Sequence, residues 1–153
     1  MELEKQVCSL ELAQKLKELG VVQESYFQWY LINDADGEYP TVLKRSTKRN
    51  RATCADYCPA YTVAELGEML PKQMDNHYKV KQMYPFQKGS QVHLTCYFNE
   101  RSNECGVNYN GRMNLPNDEL DQEQYWYGEL ANTEADARAK MLIYLLENKL
   151  ITV

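Results

Sequence analysis

The clearest hydrophobic pattern in the chain lies between Thr133 and Asn148, where apolar residues recur at the spacing of an α-helix. Thr133 can accept hydrogen bonds from the backbone N–H groups of the first turn, and Asp136 three residues later resembles a capping box. Every position from 141 to 146 is apolar, so this half of the helix should be buried on more than one side. The pattern predicts a central helix over about 133–147, and the core should be filled by its leucines Leu142, Leu145 and Leu146.

Charge pairs on the surface support the same helix. Glu134 and Asp136 stand four residues before Arg138 and Lys140, which is the favourable order for ion pairs along a helix. The two acids also lie at the positive end of the helix dipole. We therefore expect both pairs, Glu134 with Arg138 and Asp136 with Lys140, to form.

Two shorter helices are predicted nearer the N-terminus. The first has Ser9 as its N-cap and Gly20 as the residue that leaves the helix in the left-handed conformation. The second opens with a full capping box formed by Thr62 and Glu65, and Pro71 ends it. Their predicted bounds are about 9–19 and 62–70.

Short runs rich in aromatic and β-branched residues predict strands between these helices, and polar turns separate them. Connections of this length favour antiparallel order, because parallel neighbours need a long crossover. The predicted strands are 24–33, 38–43, 77–84, 91–98, 105–109 and 124–130. The chain should therefore be a single α+β domain over 1–153, in which an antiparallel sheet of four to six strands packs against three helices as one pair of layers.

The composition indicates the cellular compartment of the protein but does not indicate an activity. The 153 residues are 44% hydrophobic and 25% charged, which is ordinary for a soluble domain with a core. No apolar run is long enough to cross a bilayer, and the charged segment Met1–Lys5 is followed by no apolar stretch, so we expect a cytoplasmic protein. Five cysteines without regular spacing fit reduced thiols in that compartment.

Charge disfavours one class of partner. A net charge of −5 argues against nucleic-acid binding by the domain as a whole, because such affinity comes from neutralising phosphates. One basic run is the exception, and it is more typical of a solvated loop because no aromatic residue or helix interleaves its charges. Nucleic-acid binding through this run stays an alternative, with Lys44, Arg45, Lys48, Arg49 and Arg51 as its residues.

Twelve tyrosines stand beside three phenylalanines, an unusual ratio. A tyrosine ring covers apolar surface while its hydroxyl stays in water or finds a partner, so half-buried strands or an aromatic interaction surface would both use it. We expect a protein partner, and a homo-oligomer remains open. The predicted contact residues are Tyr26, Tyr30, Tyr125, Trp126 and Tyr127.

Cysteine and histidine supply the candidates for chemistry. Cys54 and Cys58 have the spacing of a zinc-ligand pair, but His93 and Cys96 lie three apart on a predicted strand and so point to opposite faces. Cys8 precedes a helix N-terminus, which lowers a thiol pKa, although a packing role is favoured. No phosphate-binding loop, nucleophile elbow or zinc-protease motif occurs. We expect no cofactor; the alternative is a small metal-dependent or thiol enzyme domain using Cys54, Cys58 and a histidine, with zinc.

Three blocks together resemble a family: SLELAQKLKELG at 9–20, YTVAELGEMLP at 61–71 and TEADARAKMLIYLLEN at 133–148. They look like a set of small uncharacterised proteins encoded in bacteriophages and prophage regions. The likeness covers about a quarter of the chain, and its specificity lies in the combination and order of the blocks. It implies no activity and no catalytic residue. The resemblance favours a non-enzymatic phage or prophage accessory protein in a bacterial host cell.

Overall fold

The structure is a computed structural model, and it describes residues 2–31, 41–46, 57–75, 91–112 and 123–152. Within these ranges the helices are a 3-10 turn at Leu3–Gln6 and three α-helices, α1 (Leu10–Glu18), α2 (Val63–Met69) and α3 (Glu134–Glu147). The strands are β1 (Phe27–Leu31), β2 (Thr41–Arg45), β3 (Tyr57–Pro59), β4 (Gln73–Asp75), β5 (Gln91–Asn99), β6 (Glu104–Arg112) and β7 (Glu123–Ala131). The predicted α+β class is confirmed. None of the helices in these ranges is both long and apolar enough to cross a membrane.

The strands divide between two antiparallel sheets, with the orders β2-β1-β3 and β4-β5-β6-β7. In the first sheet Trp29 lies opposite Leu43 on one side and Cys58 on the other. In the second, β5 and β6 pair without interruption, and one register shift separates Tyr109 from Asn110 against β7. The antiparallel order follows the prediction. The strands form two sheets where one was predicted, and α2 lies between β3 and β4, which are the last strand of the first sheet and the first strand of the second along the chain.

Several strand bounds differ from the predicted ones. The strand that pairs with the start of β5 is β4, whereas the predicted strand 77–84 lies outside the described residues. The strand predicted at 105–109 is longer than expected, because β6 runs from Glu104 to Arg112. Apolar residues alternate with polar ones along 92–98, and this apolar face of β5 is buried at Val92, whereas Phe98 at its far end is 56% exposed. Alternation along a strand therefore marks a face of the sheet without showing how far the helices cover it.

Helix α3 lies at the centre of the core. It contacts α1, α2, β6 and β7, and small side chains in its first turns allow close packing on these neighbours. Leu142 and Leu145 are fully buried, as predicted, while Leu146 is only partly buried at the margin of the core. One connected cluster of buried residues joins this helix to both sheets, through Cys58 of the first and Val107 of the second.

At the start of α3, the predicted cap and one of the two predicted ion pairs are formed. Thr133 Oγ1 accepts the Asp136 N–H at 3.1 Å, and Arg138 pairs with Glu134 at 2.6 Å, both as predicted. The predicted ion pair between Asp136 and Lys140 does not form. The Asp136 carboxylate accepts the backbone N–H of Ser9 at 2.7 Å, and the Lys140 ammonium donates to the Leu130 carbonyl at 2.8 Å.

Helix α1 follows its predicted signals only in part. Ser9 occupies the N-cap position, yet its hydroxyl makes no capping bond; its backbone N–H donates to Asp136 of α3. Gly20 at the other end has φ +84°, the left-handed conformation that its place in the sequence predicts. The N-terminus of α1 is therefore fixed by a bond between helices rather than by its own cap.

Truncating Leu142 to alanine should lower the free energy of unfolding by about 2–5 kcal/mol, through lost apolar burial and the cavity left behind. Leu146→Ala on the same helix should cost clearly less, because the leucine is only partly buried. Thr133→Ala removes one capping bond and should cost about 1 kcal/mol. Chemical denaturation of the three variants side by side checks the order, and a Leu142 variant milder than the Thr133 variant would contradict the central place of α3.

Candidate functional site

A groove of about 570 Å³ lies where the chain enters β1, beside the end of β2 and one face of α2. We call it the Tyr26 groove. Its walls combine charged, polar and apolar side chains from these three parts of the chain. They are Glu24, Ser25, Tyr26, Arg45, Ser46, Glu65, Glu68 and Met69.

The carboxylate of Glu65 organises this groove. Its Oε2 accepts the Thr62 backbone N–H at 2.7 Å and the Thr62 hydroxyl at 2.8 Å, which completes the capping box predicted for α2. The same oxygen accepts the Ser25 hydroxyl at 3.1 Å, and Oε1 accepts the Tyr26 backbone N–H at 2.9 Å. One carboxylate thus caps a helix and fixes the segment that leads into β1.

Among the aromatic side chains whose exposure the structure describes, Tyr26 is the most exposed, with 69% of its surface accessible. Its backbone is nevertheless fixed on both sides. The N–H donates to Glu65, and the carbonyl accepts the Ser46 N–H at 2.7 Å. A large ring on an ordered backbone can contact a partner with little loss of conformational entropy.

The groove carries more negative than positive charge. Among the lining residues that the structure describes, three carboxylates (Glu24, Glu65 and Glu68) and one guanidinium (Arg45) carry a net charge of −2. The Glu24, Glu68 and Arg45 side chains are exposed, so they remain available to a partner in solution. This arrangement favours a cationic group over a phosphate.

The predicted aromatic residues lie in different surroundings. Tyr30 is 5% exposed and its hydroxyl donates to Gln28 Oε1 at 2.6 Å, so little of this side chain is accessible to a partner. Gln28, two residues away on the same face of β1, is fully buried, so this part of the face is covered. Tyr127 is half-buried and stacks on Tyr144 of α3 at 3.5 Å between ring centroids. The side chains of Tyr125 and Trp126 lie outside what the structure describes, although β7 includes both residues.

The predicted basic run is described only at its beginning. Lys44 and Arg45 belong to β2 and are exposed, and the Lys44 ammonium lies 5.9 Å from the centroid of the Tyr30 ring. Arg45 lines the Tyr26 groove. Lys48, Arg49 and Arg51 lie outside the described residues. The structure therefore brings together Tyr26 and Arg45, two residues that the sequence suggested for different partners.

The predicted metal ligands are not assembled in the described residues. Cys58 is buried in β3, and Cys54 and His77 lie outside the described ranges. His93 and Cys96 lie on a regularly paired stretch of β5, so they point to opposite faces as predicted. Across the described segments, no group of three or more histidine, cysteine, aspartate or glutamate side chains has the arrangement of a metal site.

Cys8 shows why a helix N-terminus alone does not activate a thiol. Burial is the main cause that raises the pKa of its thiol from 9.0 to about 12, and the nearby Asp136 and Glu65 carboxylates act in the same direction. A backbone hydrogen bond with Tyr61 lowers the pKa, but by less than burial raises it. Cys8 is therefore a neutral, packed side chain at neutral pH, as its favoured interpretation predicted.

The raised pKa of Cys8 should appear in the alkaline stability. The unfolded chain loses the thiol proton near pH 9.0 while the folded protein keeps it to about 12, so the free energy of unfolding falls as pH rises between these values. The thiol contributes a slope of up to about 1.4 kcal/mol per pH unit. Denaturation of wild type and Cys8→Ala from about pH 8.5 to 11 should give a shallower decline for the variant, and equal slopes would contradict a buried neutral thiol.

Sequence reasoning missed most of the groove. The capping box identified Glu65, but nothing in the local pattern indicated its bonds to Ser25 and Tyr26, which lie about forty residues away. Glu68 and Met69 follow from Glu65 only through helical spacing, a signal that becomes useful once the face of α2 is known. Comparison with known proteins adds no assignment: no protein-family model, curated protein or solved structure matches the chain.

Proposed function

We propose that this protein is a non-enzymatic protein-binding module, and that the Tyr26 groove is its contact surface. The observation that carries the proposal is the exposed Tyr26 ring on a backbone held by Glu65 and Ser46. Burying such a ring requires a partner, and the fixed backbone lowers the entropic cost of binding. The resemblance in the sequence supports a phage or prophage accessory protein that acts in the bacterial cytoplasm on a host or phage protein.

The composition of the groove agrees with this role. Tyrosine, arginine and methionine are enriched at protein interfaces, and Tyr26, Arg45 and Met69 meet here. A stable interface covers about 800 Å² on each partner, which is more than one groove supplies. The groove is therefore suited to hold an anchoring side chain of the partner while surrounding surface completes the contact.

Charge indicates what that anchoring side chain carries. A lysine or arginine of the partner can lie over the Tyr26 ring and pair with Glu24 or Glu68 on the rim. The chain as a whole has a net charge of −5, which accelerates encounters with basic proteins and slows those with acidic ones. We therefore propose a protein partner with a basic contact segment.

The alternatives gain less support from the described residues. Nucleic-acid binding through the basic run would place phosphates beside Arg45, where three carboxylates line the same groove. A metal-dependent or thiol enzyme would need ligands or a reactive thiol beside Cys58, which is buried. Binding of a basic protein uses what the groove contains, both its exposed ring and its excess of acids.

Replacing Tyr26 with alanine should abolish capture of the partner from nuclease-treated lysate of the bacterial host, with an affinity loss of roughly 30-fold or more, as for a hot-spot residue. Tyr26→Phe should retain most of the binding, because the ring remains. Quantitative pull-down with the tagged full chain, followed by titration with the identified partner at increasing salt, measures both effects.

The matched control is Tyr97→Ala, which removes a partly exposed tyrosine from the other sheet. It should leave the partner bound, and the melting temperatures of all variants should confirm that they are folded. Undiminished capture by Tyr26→Ala would contradict the proposal. Loss of capture on nuclease treatment would favour nucleic acid instead.

A further inference from the structure

A second and larger concavity, of about 820 Å³, lies on a different face of α2 from the Tyr26 groove. Val63, Ala64 and Gly67 of α2 face it, whereas Glu65, Glu68 and Met69 face the groove. The remaining walls come from the N-terminal 3-10 turn, β6 and the start of α3. They are Lys5, Gln6, Thr62, Cys105, Asn132, Thr133, Glu134 and Arg138. We call it the Arg138 cleft.

Three parts of the chain are tied together around this cleft. Val7 forms a β-bridge with Thr62, and the Cys8 N–H donates to the Tyr61 carbonyl at 2.9 Å. Helix α2 also packs directly on α3. The cleft is therefore bordered by connected elements, and its size lies within the range of small-molecule sites.

Arg138 supplies the strongest polar group of the cleft, and only 17% of its side chain is exposed. Its Nε and Nη2 donate to Glu134 Oε1 at 2.9 and 2.6 Å. The remaining nitrogen, Nη1, lies against Gly67, so close that a β-carbon at this glycine would stand 2.4 Å from it. Glycine is unfavourable inside a helix, and here it leaves the room that the guanidinium occupies.

The rest of the lining is mainly apolar or neutral. Val63 and Ala64 present hydrocarbon, and burial raises the pKa of the Cys105 thiol, with the Glu134 carboxylate raising it further, so Cys105 adds no negative charge at neutral pH. The charged residues of the lining are Arg138, Glu134 and Lys5, and the exposed Lys5 ammonium pairs with Glu2 at 3.0 Å. Arg138 is therefore the cation of the cleft that is mostly shielded from water, with 17% of its side chain exposed.

We propose that the Arg138 cleft binds a small organic anion that has an apolar body and a carboxylate. The carboxylate pairs with Arg138, whose planar guanidinium presents further N–H groups beyond the two that Glu134 occupies. The apolar body lies against Val63, Ala64 and Cys105. In the ligand-free protein Glu134 neutralises the guanidinium, and its partly exposed side chain can give way to the ligand. This site is separate from the Tyr26 groove and does not depend on the function proposed for it.

Octanoate and octanamide form the test pair, because they share the apolar body and differ in charge. Calorimetric titration of the full chain should show saturable one-to-one binding of octanoate at millimolar concentration and weaker binding of octanamide. Arg138→Gln should weaken octanoate binding about tenfold, the loss of one charge-assisted contact, and should leave octanamide binding unchanged.

Glu134→Gln separates a binding role from a structural one. It removes the carboxylate that competes for Arg138 and should strengthen octanoate binding. If the ion pair had only a structural role, Glu134→Gln and Arg138→Gln would both lower the affinity for octanoate. Gly67→Ala should stay folded, because alanine favours the helix, and should weaken octanoate binding by displacing Nη1. Lys149→Gln, an exposed charge outside the cleft, is the control and should bind as wild type.

Three results would overturn the proposal. They are the lack of saturable octanoate binding, equal affinity for octanoate and octanamide, and unchanged octanoate affinity in a folded Arg138→Gln protein. Thermal unfolding of each variant shows whether it is folded. The backbone amide signals of Val63, Ala64 and Gly67 in ¹H–¹⁵N spectra place the octanoate, and shifts confined to other parts of the chain would also overturn the assignment.

Discussion

The burial of helix α3 is the constraint on which the rest of the structure depends. The helix packs on two other helices and on two strands, and its fully buried leucines contribute to a cluster that reaches both sheets. Its first turn also holds α1, because the Asp136 carboxylate accepts the Ser9 N–H. A helix of four turns that is apolar on several sides can be buried only if other elements pack on each of those sides. The remaining elements are therefore arranged around it.

Helix α2 connects this core to both candidate sites. Leu66 is fully buried on the side that faces the core, which sets how the helix is rotated. Glu65 then lies in the Tyr26 groove and Gly67 in the Arg138 cleft. The seven residues of α2 thus contribute to two different surfaces, because neighbouring positions on a helix point in different directions. The packing that stabilises the fold also determines where Tyr26 and Arg138 can act.

Local signals predicted the fold better than they predicted the sites. The capping box of Thr62 with Glu65 and the left-handed Gly20 were confirmed, because a cap involves residues only a few positions apart. Asp136 could not be assigned in the same way, since two partners compete for its carboxylate and the successful one is distant in sequence. The burial of Tyr30 is likewise not a local property, because it depends on what covers that face of β1.

The candidate sites were partly visible in the sequence. Tyr26 and Arg45 were both singled out, but their meeting in one groove depends on the pairing of β1 with β2 and on a bond from α2. Arg138 was expected only to pair with Glu134, and its position against Gly67 depends on how two helices pack. Residue type and spacing indicate a chemical group, whereas tertiary contacts decide which groups share a site.

The central place of α3 is tested most directly by native-state hydrogen exchange. If the helix is the last element to lose its structure, the amides of Met141, Leu142 and Leu145 exchange only through global unfolding. Their exchange free energies should then equal the free energy of unfolding measured by denaturation, and they should exceed those of the β1–β2 pair. Exchange of these amides through a local opening, at a free energy well below that of global unfolding, would contradict the account.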